Sequence, residues 1–195
     1  TLQLSAAAQI DNAEAATIVG QALNSFGLSG DKAIMVADLL ANSANASAGE
    51  ITDMAYALQA GGSVAAMAGQ SINDFTTAIA LMANAGIVGS DAGTSLKSML
   101  MSLMSPTDKA AKLMQELGIQ IYDANGKMLP LPQLIEQFSS KLGGMTQEQR
   151  NAALATIFGS DAIRAANIVL MAGTDNWNKM SEAVNKAGGA QDVAA

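Results

Sequence analysis

The chain has 195 residues, of which 50% are hydrophobic, 4% aromatic and 14% charged, and its formal net charge is −7. It contains no cysteine and no histidine, which excludes disulfides, thiolate nucleophiles, zinc sites of the Cys/His type and histidine general bases. Carboxylate or lysine chemistry and binding of Mg²⁺ or Ca²⁺ stay open.

Alanine, leucine and methionine supply the apolar mass, which favours helix over sheet. Residues 6–25 are alanine-rich and predict a helix ending near Gly27. A second helix is expected from Asp31 to about Asn45, with Ile34, Met35, Val36, Leu39 and Leu40 as its apolar face. Ser47 and Glu50 have the spacing of a capping box, so a helix should follow. Gly61-Gly62 then reads as a break, with a short helical piece after it. The clearest helix starts at Ser71, carries the stripe Ile72, Phe75, Ile79 and Met82, and ends near Gly86.

Gly89-Ser90-Asp91 opens the next helix, with Leu96, Met99, Leu100, Leu103 and Met104 on one side. Ser105-Pro106 predicts a restart, serine as N-cap and proline at the first helical position, for a helix over 106–117. That helix should bury Ala110, Leu113, Met114 and Leu117 and stop at Gly118. Ile119–Tyr122 and Lys127–Leu129 flank Asp123-Ala124-Asn125-Gly126, which predicts a small β-hairpin near 119–129 with a type I′ turn. Pro130 and Pro132 lead into a helix bearing Leu134, Ile135, Phe138 and Leu142. Thr146 and Gln149 form a second capping box, for a helix to about Phe158. Gly159-Ser160-Asp161 opens another, carrying Ile163, Ile168, Val169 and Leu170. A last helix runs from about Thr174 through Trp177 to the glycines at 188–189, and the tail 190–195 is expected to fray. The fold class is therefore all-α: a compact bundle of about eight to ten short amphipathic helices with one hairpin.

Charge divides the chain. Residues 1–96 hold eight acids and one base, Lys32, whereas residues 97–195 hold nine of each. The expected organisation is an acidic Ala/Gly/Met-rich half, 1–105, and a charge-balanced half with the hairpin, 106–195, together one continuous domain of a longer protein. The acidic half argues against nucleic-acid binding. The chain opens at Thr1 with no basic n-region or cleavage site, so a signal peptide is not expected, and the missing initiator Met points first to an excised fragment of a longer protein and second to a processed product. Met54–Asn73 carries no charge, but it is rich in alanine, glycine, serine and glutamine rather than in large apolar residues. With Gly61-Gly62 reading as a turn inside it, it is not read as a constitutive membrane span.

Chemistry-bearing motifs are weak. Asp123–Gly126 lacks the spacing of an EF-hand, and position twelve would be Leu134. The glycine-rich segment 86–93 has no preceding strand and no Gly-Lys-Ser/Thr, so it is read as a helix-to-helix linker. The carboxylate pairs Asp11/Glu14 and Glu50/Asp53 fall in first turns, where negative charge complements the helix dipole. Gly-Ser-Asp-Ala occurs at 89–92 and 159–162 and is read as two similar helix starts. The twelve methionines, among them Met99, Met101, Met104 and Met114, are read first as core and second as a soft surface for partner helices. No catalytic, cofactor-binding or metal-ligating residue is assigned, and no cofactor is expected.

The stretch from Leu81 through Gly86-Ile87-Val88-Gly89-Ser90-Asp91-Ala92-Gly93 to Leu96 resembles the core motif of phage tail tape-measure proteins. Ser105-Pro106-Thr107, Leu117-Gly118-Ile119, Tyr122–Met128 and Ala155–Gly159 agree in order and spacing, and so does Ala22–Leu28 upstream. The resemblance covers about residues 13–175. It implies a non-enzymatic structural protein of a phage or prophage tail, made in the host cytoplasm and housed inside the virion tail. Such a protein sets tail length during assembly and leaves at genome ejection. The partners implied are other copies of itself, the tail-tube protein, tail-tip proteins, tail assembly chaperones and, at ejection, the host membrane, with no specific nucleic-acid binding from this segment. The competing readings are a membrane-active helical translocator or pore-forming module and a generic helical interaction domain. A ruler should be extended, whereas the many breaks and apolar stripes here predict a folded domain acting at a fixed place.

Overall fold

A computed structural model describes residues 2–189. The tail at 190–195, expected to fray, lies outside them. Among the described residues there are ten α-helices: α1 (Leu2–Ala8), α2 (Asn12–Ser25), α3 (Ala33–Asn45), α4 (Ile51–Met67), α5 (Ile72–Asn84), α6 (Gly89–Met104), α7 (Asp108–Leu117), α8 (Leu131–Gly143), α9 (Gln147–Ala165) and α10 (Thr174–Val184). A 3₁₀ turn precedes α3, and a π-helical turn, Ala166–Leu170, follows α9. The fold class is all-α, as the periodicity requires.

The centre is the crossing of α4 on α6. Helices α2, α3 and α5 pack around α4, while α9 covers α6 and is itself covered by α7. Helix α10 closes the bundle against α3, α5 and α8. One apolar core runs through all of this, from Leu4 and Val36 through Leu58, Phe75, Met82, Leu96 and Leu100 to Phe138, Leu170 and Trp177.

Several elements stand where local chemistry puts them. Ser71 caps α5, its hydroxyl accepting from the Asp74 amide at 3.0 Å, and the stripe Ile72, Phe75, Ile79 and Met82 is buried. Thr146 and Gln149 close a reciprocal capping box at 3.1 and 3.2 Å. Gly118, at φ 67°, ends α7 in the left-handed conformation that a side chain would resist. Leu134, Ile135, Phe138 and Leu142 all face inward.

Elsewhere the structure corrects the sequence reading. The helix expected over 6–25 is two helices, broken at Gln9 (φ 54°) and Ile10, because Asp11 caps α2 by accepting from the Glu14 amide at 2.7 Å. Ile34, placed on the apolar face of α3, is 69% exposed, and Val36, Leu39 and Leu40 carry the burial. The capping box before α4 is Glu50/Asp53 rather than Ser47/Glu50: the Glu50 amide donates to Asp53 Oδ2 at 3.0 Å. Ser47 is still inside the preceding turn, its hydroxyl bonded to the Ser43 carbonyl at 2.6 Å. The N-cap of α7 is Thr107, not Ser105, with the Ala110 amide on Thr107 Oγ1 at 3.2 Å. Pro106 instead terminates α6, because it pushes Ser105 out of the helical region to φ −135°, ψ 67°.

The largest correction is at Gly61-Gly62. No break occurs, and α4 runs straight through to Met67. A Cβ on Gly61 would stand 3.1 Å from the carbonyl carbon of Gly93 and nearer still to its oxygen. One on Gly93 would lie 2.8 Å from the Cα of Ala57. The two helices touch backbone to backbone, so glycine here serves close packing rather than chain reversal. Gly62 leaves room beside Leu58 for the ring of Phe26, which meets Phe75 edge-on with centroids 5.9 Å apart.

The hairpin is reduced to one antiparallel bridge, Tyr122 to Met128. Its turn is not type I′, since only Gly126 has positive φ (73°). The Gly126 amide donates to the Asp123 carbonyl at 3.0 Å, and Asp123 Oδ1 accepts from the amides of Asn125 and Lys127 at 2.8 and 2.9 Å. The side chain of Asp123 thus folds the loop from within.

Candidate functional site

Three of the four carboxylates weighed for acid–base chemistry are engaged in building helices, Glu14 being the exception. Asp11 and the Glu50/Asp53 pair are caps, and Asp123 organises its turn. Among the described residues no group of three or more acidic side chains converges as a metal site. Two carboxyls are displaced from their ordinary range. Asp31 is held low, chiefly by the Ser29 hydroxyl and then by Lys32. Asp74, half-buried in the first turn of α5, is pushed up by loss of solvent, with the Ser71 hydroxyl opposing. They belong to separate elements and form no acid–base pair.

The two Gly-Ser-Asp-Ala segments lie on packed helices, α6 and α9. Gly89 (φ 58°) begins α6, and Gly159 (φ 66°, ψ −170°) kinks α9. Beyond the second segment, Arg164 reaches across to the first. Its Nη2 lies 2.7 Å from Asp91 Oδ1 and 3.2 Å from Ser95 Oγ, and Nη1 lies 3.3 Å from Asp91 Oδ2. This bidentate link ties the start of α6 to the end of α9. The first segment is a helix start, whereas the second stands at the kink inside α9 rather than at the start of a separate helix, and the pairing through Arg164 was not visible because nothing local marks partners 73 residues apart.

Two buried amides perform similar work. Gln70 donates to the Leu129 carbonyl at 3.1 Å and accepts from the Leu131 amide at 2.8 Å, joining the end of α4 to the start of α8. Asn42 donates to the carbonyls of Val184 (3.1 Å) and Lys186, and Asp38 Oδ2 accepts from the Gly188 amide at 3.0 Å, which fastens the end of α10 onto α3. No side-chain nitrogen or oxygen buried among the described residues lacks a partner. These polar residues position helices, and the sequence offered no periodic signal for them.

The surface carries the remaining candidates. Met54, Met82, Met99, Met114 and Met180 are core, as the first reading of the methionines had it. Met67 and Met101 are 69% and 50% exposed, and Met67, Met104, Met128 and Tyr122 line a groove beside the hairpin. A second cleft, of ≈ 230 Å³, lies between α2 and α4. Ile18 and Ala55 form its apolar floor, with Glu14 and the exposed ring of Tyr56 at its rim. The sequence reading did not single out Tyr56, although an aromatic in a charge-free helical stretch was there to be noticed. That stretch, 54–73, buries Met54, Ala57, Leu58, Ala65, Ala68 and Ile72 inside the fold. A different segment, Gln147–Leu170, is long and apolar enough to cross a membrane, yet half of its apolar window is buried and Gly159 kinks it.

Residues 1–159 match the family described as phage-related minor tail protein. The chain is 39% identical over 194 residues to the tape measure protein of Pneumococcus phage Dp-1, covering 99% of this chain and 17% of that protein. It is 30% identical over 192 residues to the probable tape measure protein of Escherichia phage P2, covering 97% of this chain and 24% of that protein. The chain thus spans roughly a fifth of the length of these relatives. No solved structure matches. With four-fifths of its residues inside the family model and nearly all of its length aligned to these two proteins, the chain belongs to the phage-related minor tail protein family.

Proposed function

We propose that this chain is a folded segment of a tape measure, a structural rather than enzymatic protein of a phage or prophage tail that sets tail length during assembly and is released at genome ejection. The observation that carries the reading is the 39% identity across 99% of the chain to a tape measure protein. Its place is the interior of the virion tail, after synthesis in the host cytoplasm. Its partners are further copies, the tail-tube protein, tail-tip proteins and assembly chaperones, with the host membrane reached at ejection.

Within that protein the segment acts at a fixed place and does not count as ruler. A continuous helix of this length would extend about 290 Å, at ~1.5 Å per residue. What supports the alternative is the folding of ten helices onto one core, with large apolar side chains that extension would expose to water. In-frame deletion of residues 1–195 from the full gene, with tail lengths measured by electron microscopy, tests this. Absent tails, or tails of scattered length, are expected for an assembly element. Normal tails that fail to deliver DNA would move the role to ejection. Uniform tails shortened by about 290 Å would make the segment part of the ruler and refute the fixed-place reading.

A further inference from the structure

The cleft between α2 and α4 has a composition that points to a ligand. Its floor, Ile18 and Ala55, is apolar, and its walls, Thr17, Gln21, Thr52 and Gln59, are polar and uncharged. At the rim stand one carboxylate, Glu14, and one aromatic ring, Tyr56, 55% exposed. The Glu14 carboxylate has no ion-pair partner among the described residues. The two helices that form the cleft carry carboxylates and no basic residue. Asp11 lies one turn before Glu14, and Glu50 and Asp53 open α4. The chain has no lysine or arginine between residues 33 and 96, and Lys32 sits 3.6 Å from Asp31. A second hollow shares Thr52 and is lined by Gln9, Asn45 and Glu50 at the start of α4.

An apolar floor, an exposed ring and an uncompensated carboxylate are the three contacts a long cationic side chain makes. The methylene stem covers the floor, the charged head lies against the ring, and the carboxylate takes its N–H groups. Arginine satisfies these better than lysine, because its planar guanidinium stacks on an aromatic face while bonding a carboxylate. We propose that this cleft is a docking site for a basic amphipathic helix of a partner protein, anchored by an arginine held between Tyr56 and Glu14. The surrounding negative field accelerates encounter with such a helix and disfavours acidic ones. The inference rests on the cleft alone and does not depend on whether the segment measures length.

The probe is a 14-residue amphipathic peptide with leucine on one face and arginine on the other, together with versions carrying lysine or glutamate. Each is titrated into the ¹⁵N-labelled 195-residue chain. The expected result is amide shifts confined to Thr17, Gln21, Thr52, Tyr56 and Gln59, binding of arginine over lysine, and none of the glutamate peptide. Glu14→Gln and Tyr56→Ala should each weaken binding by about tenfold, with circular dichroism verifying that the helices persist. Asp31→Asn, outside the cleft, should leave it unchanged. Shifts scattered over all acidic positions, or equal loss on Asp31→Asn, would reduce the effect to net charge and overturn the proposal. So would concentration-dependent dimers of the peptide-free chain that Tyr56→Ala abolishes, since a second copy would then be the occupant.

Discussion

The crossing of α4 on α6 and the seat of α8 solve the same packing problem in opposite ways. At the crossing, Gly61 and Gly93 lack side chains, so that the backbones of Gly61 and Gly93 meet and that of Ala57 comes close to Gly93. Around α8, Leu131, Leu134, Ile135, Phe138 and Leu142 fill the space with bulk, and Phe138 lies against Phe158 with ring centroids 5.7 Å apart. The first contact gains from dispersion at short range, the second from apolar area removed from water. Their weaknesses are therefore reversed: one fails when atoms are added, the other when atoms are taken away.

The largest effect is expected where bulk is lost. Phe138→Ala should cost about 3–5 kcal/mol in urea unfolding, because a fully buried ring leaves a cavity that the neighbours fill only in part. A native-like midpoint would mean that α8 is not seated as described.

Adding one methyl group should cut the other way. Gly93→Ala drives a Cβ into the Ala57 backbone, which no rotamer change relieves, and should cost about 1–3 kcal/mol. The same change at Gly20, inside α2 with nothing within 4 Å of a new Cβ, should stabilise by about 0.5–1 kcal/mol. Opposite signs for one substitution on two helices would isolate the backbone contact from helix propensity, and equal signs would dissolve the comparison.

A smaller loss is expected at a helix end. Thr146→Ala removes the hydroxyl that accepts from the Gln149 amide and should cost about 1 kcal/mol, read as a lowered Tm.

The smallest effect is electrostatic and depends on pH. Burial raises the folded-state pKa of Asp74, so the native state holds its proton more tightly than the unfolded chain does. Stability therefore falls as pH rises from the unfolded value through the raised folded one, and the deficit stays constant above it. Asp74→Asn should stabilise modestly at neutral pH, and the difference from the parent should fade below about pH 4. A difference independent of pH would assign the effect to capping at α5 instead.

Much of this was legible from residues alone, and the reason is range. Ser71, Thr146 and Gly118 act within three or four residues, and the stripes on α5 and α8 depend only on the helical period, so the sequence by itself determined the all-α class, most helix starts and stops, and most of the core. It also determined the acidic character of the first half, and with it the sign of any partner that half could attract. The site was legible only in that sense, since neither the cleft nor Tyr56 had a motif to announce it.

What tertiary structure decided involved residues far apart in the chain. Gly61-Gly62 has the local preferences of a turn, and only the arrival of Gly93 makes its missing side chains an advantage inside a helix. Ser47 could cap as well as Glu50 by spacing, and the choice fell to the turn that Ser43 begins. Gln70, Asn42 and Arg164 look like ordinary polar residues until the carbonyls and carboxylates they join come within 3.3 Å from 59 to 144 residues away. Propensity is a property of a few neighbouring residues. Burial, close approach and polar pairing belong to the assembled chain, and they override propensity wherever the two conflict.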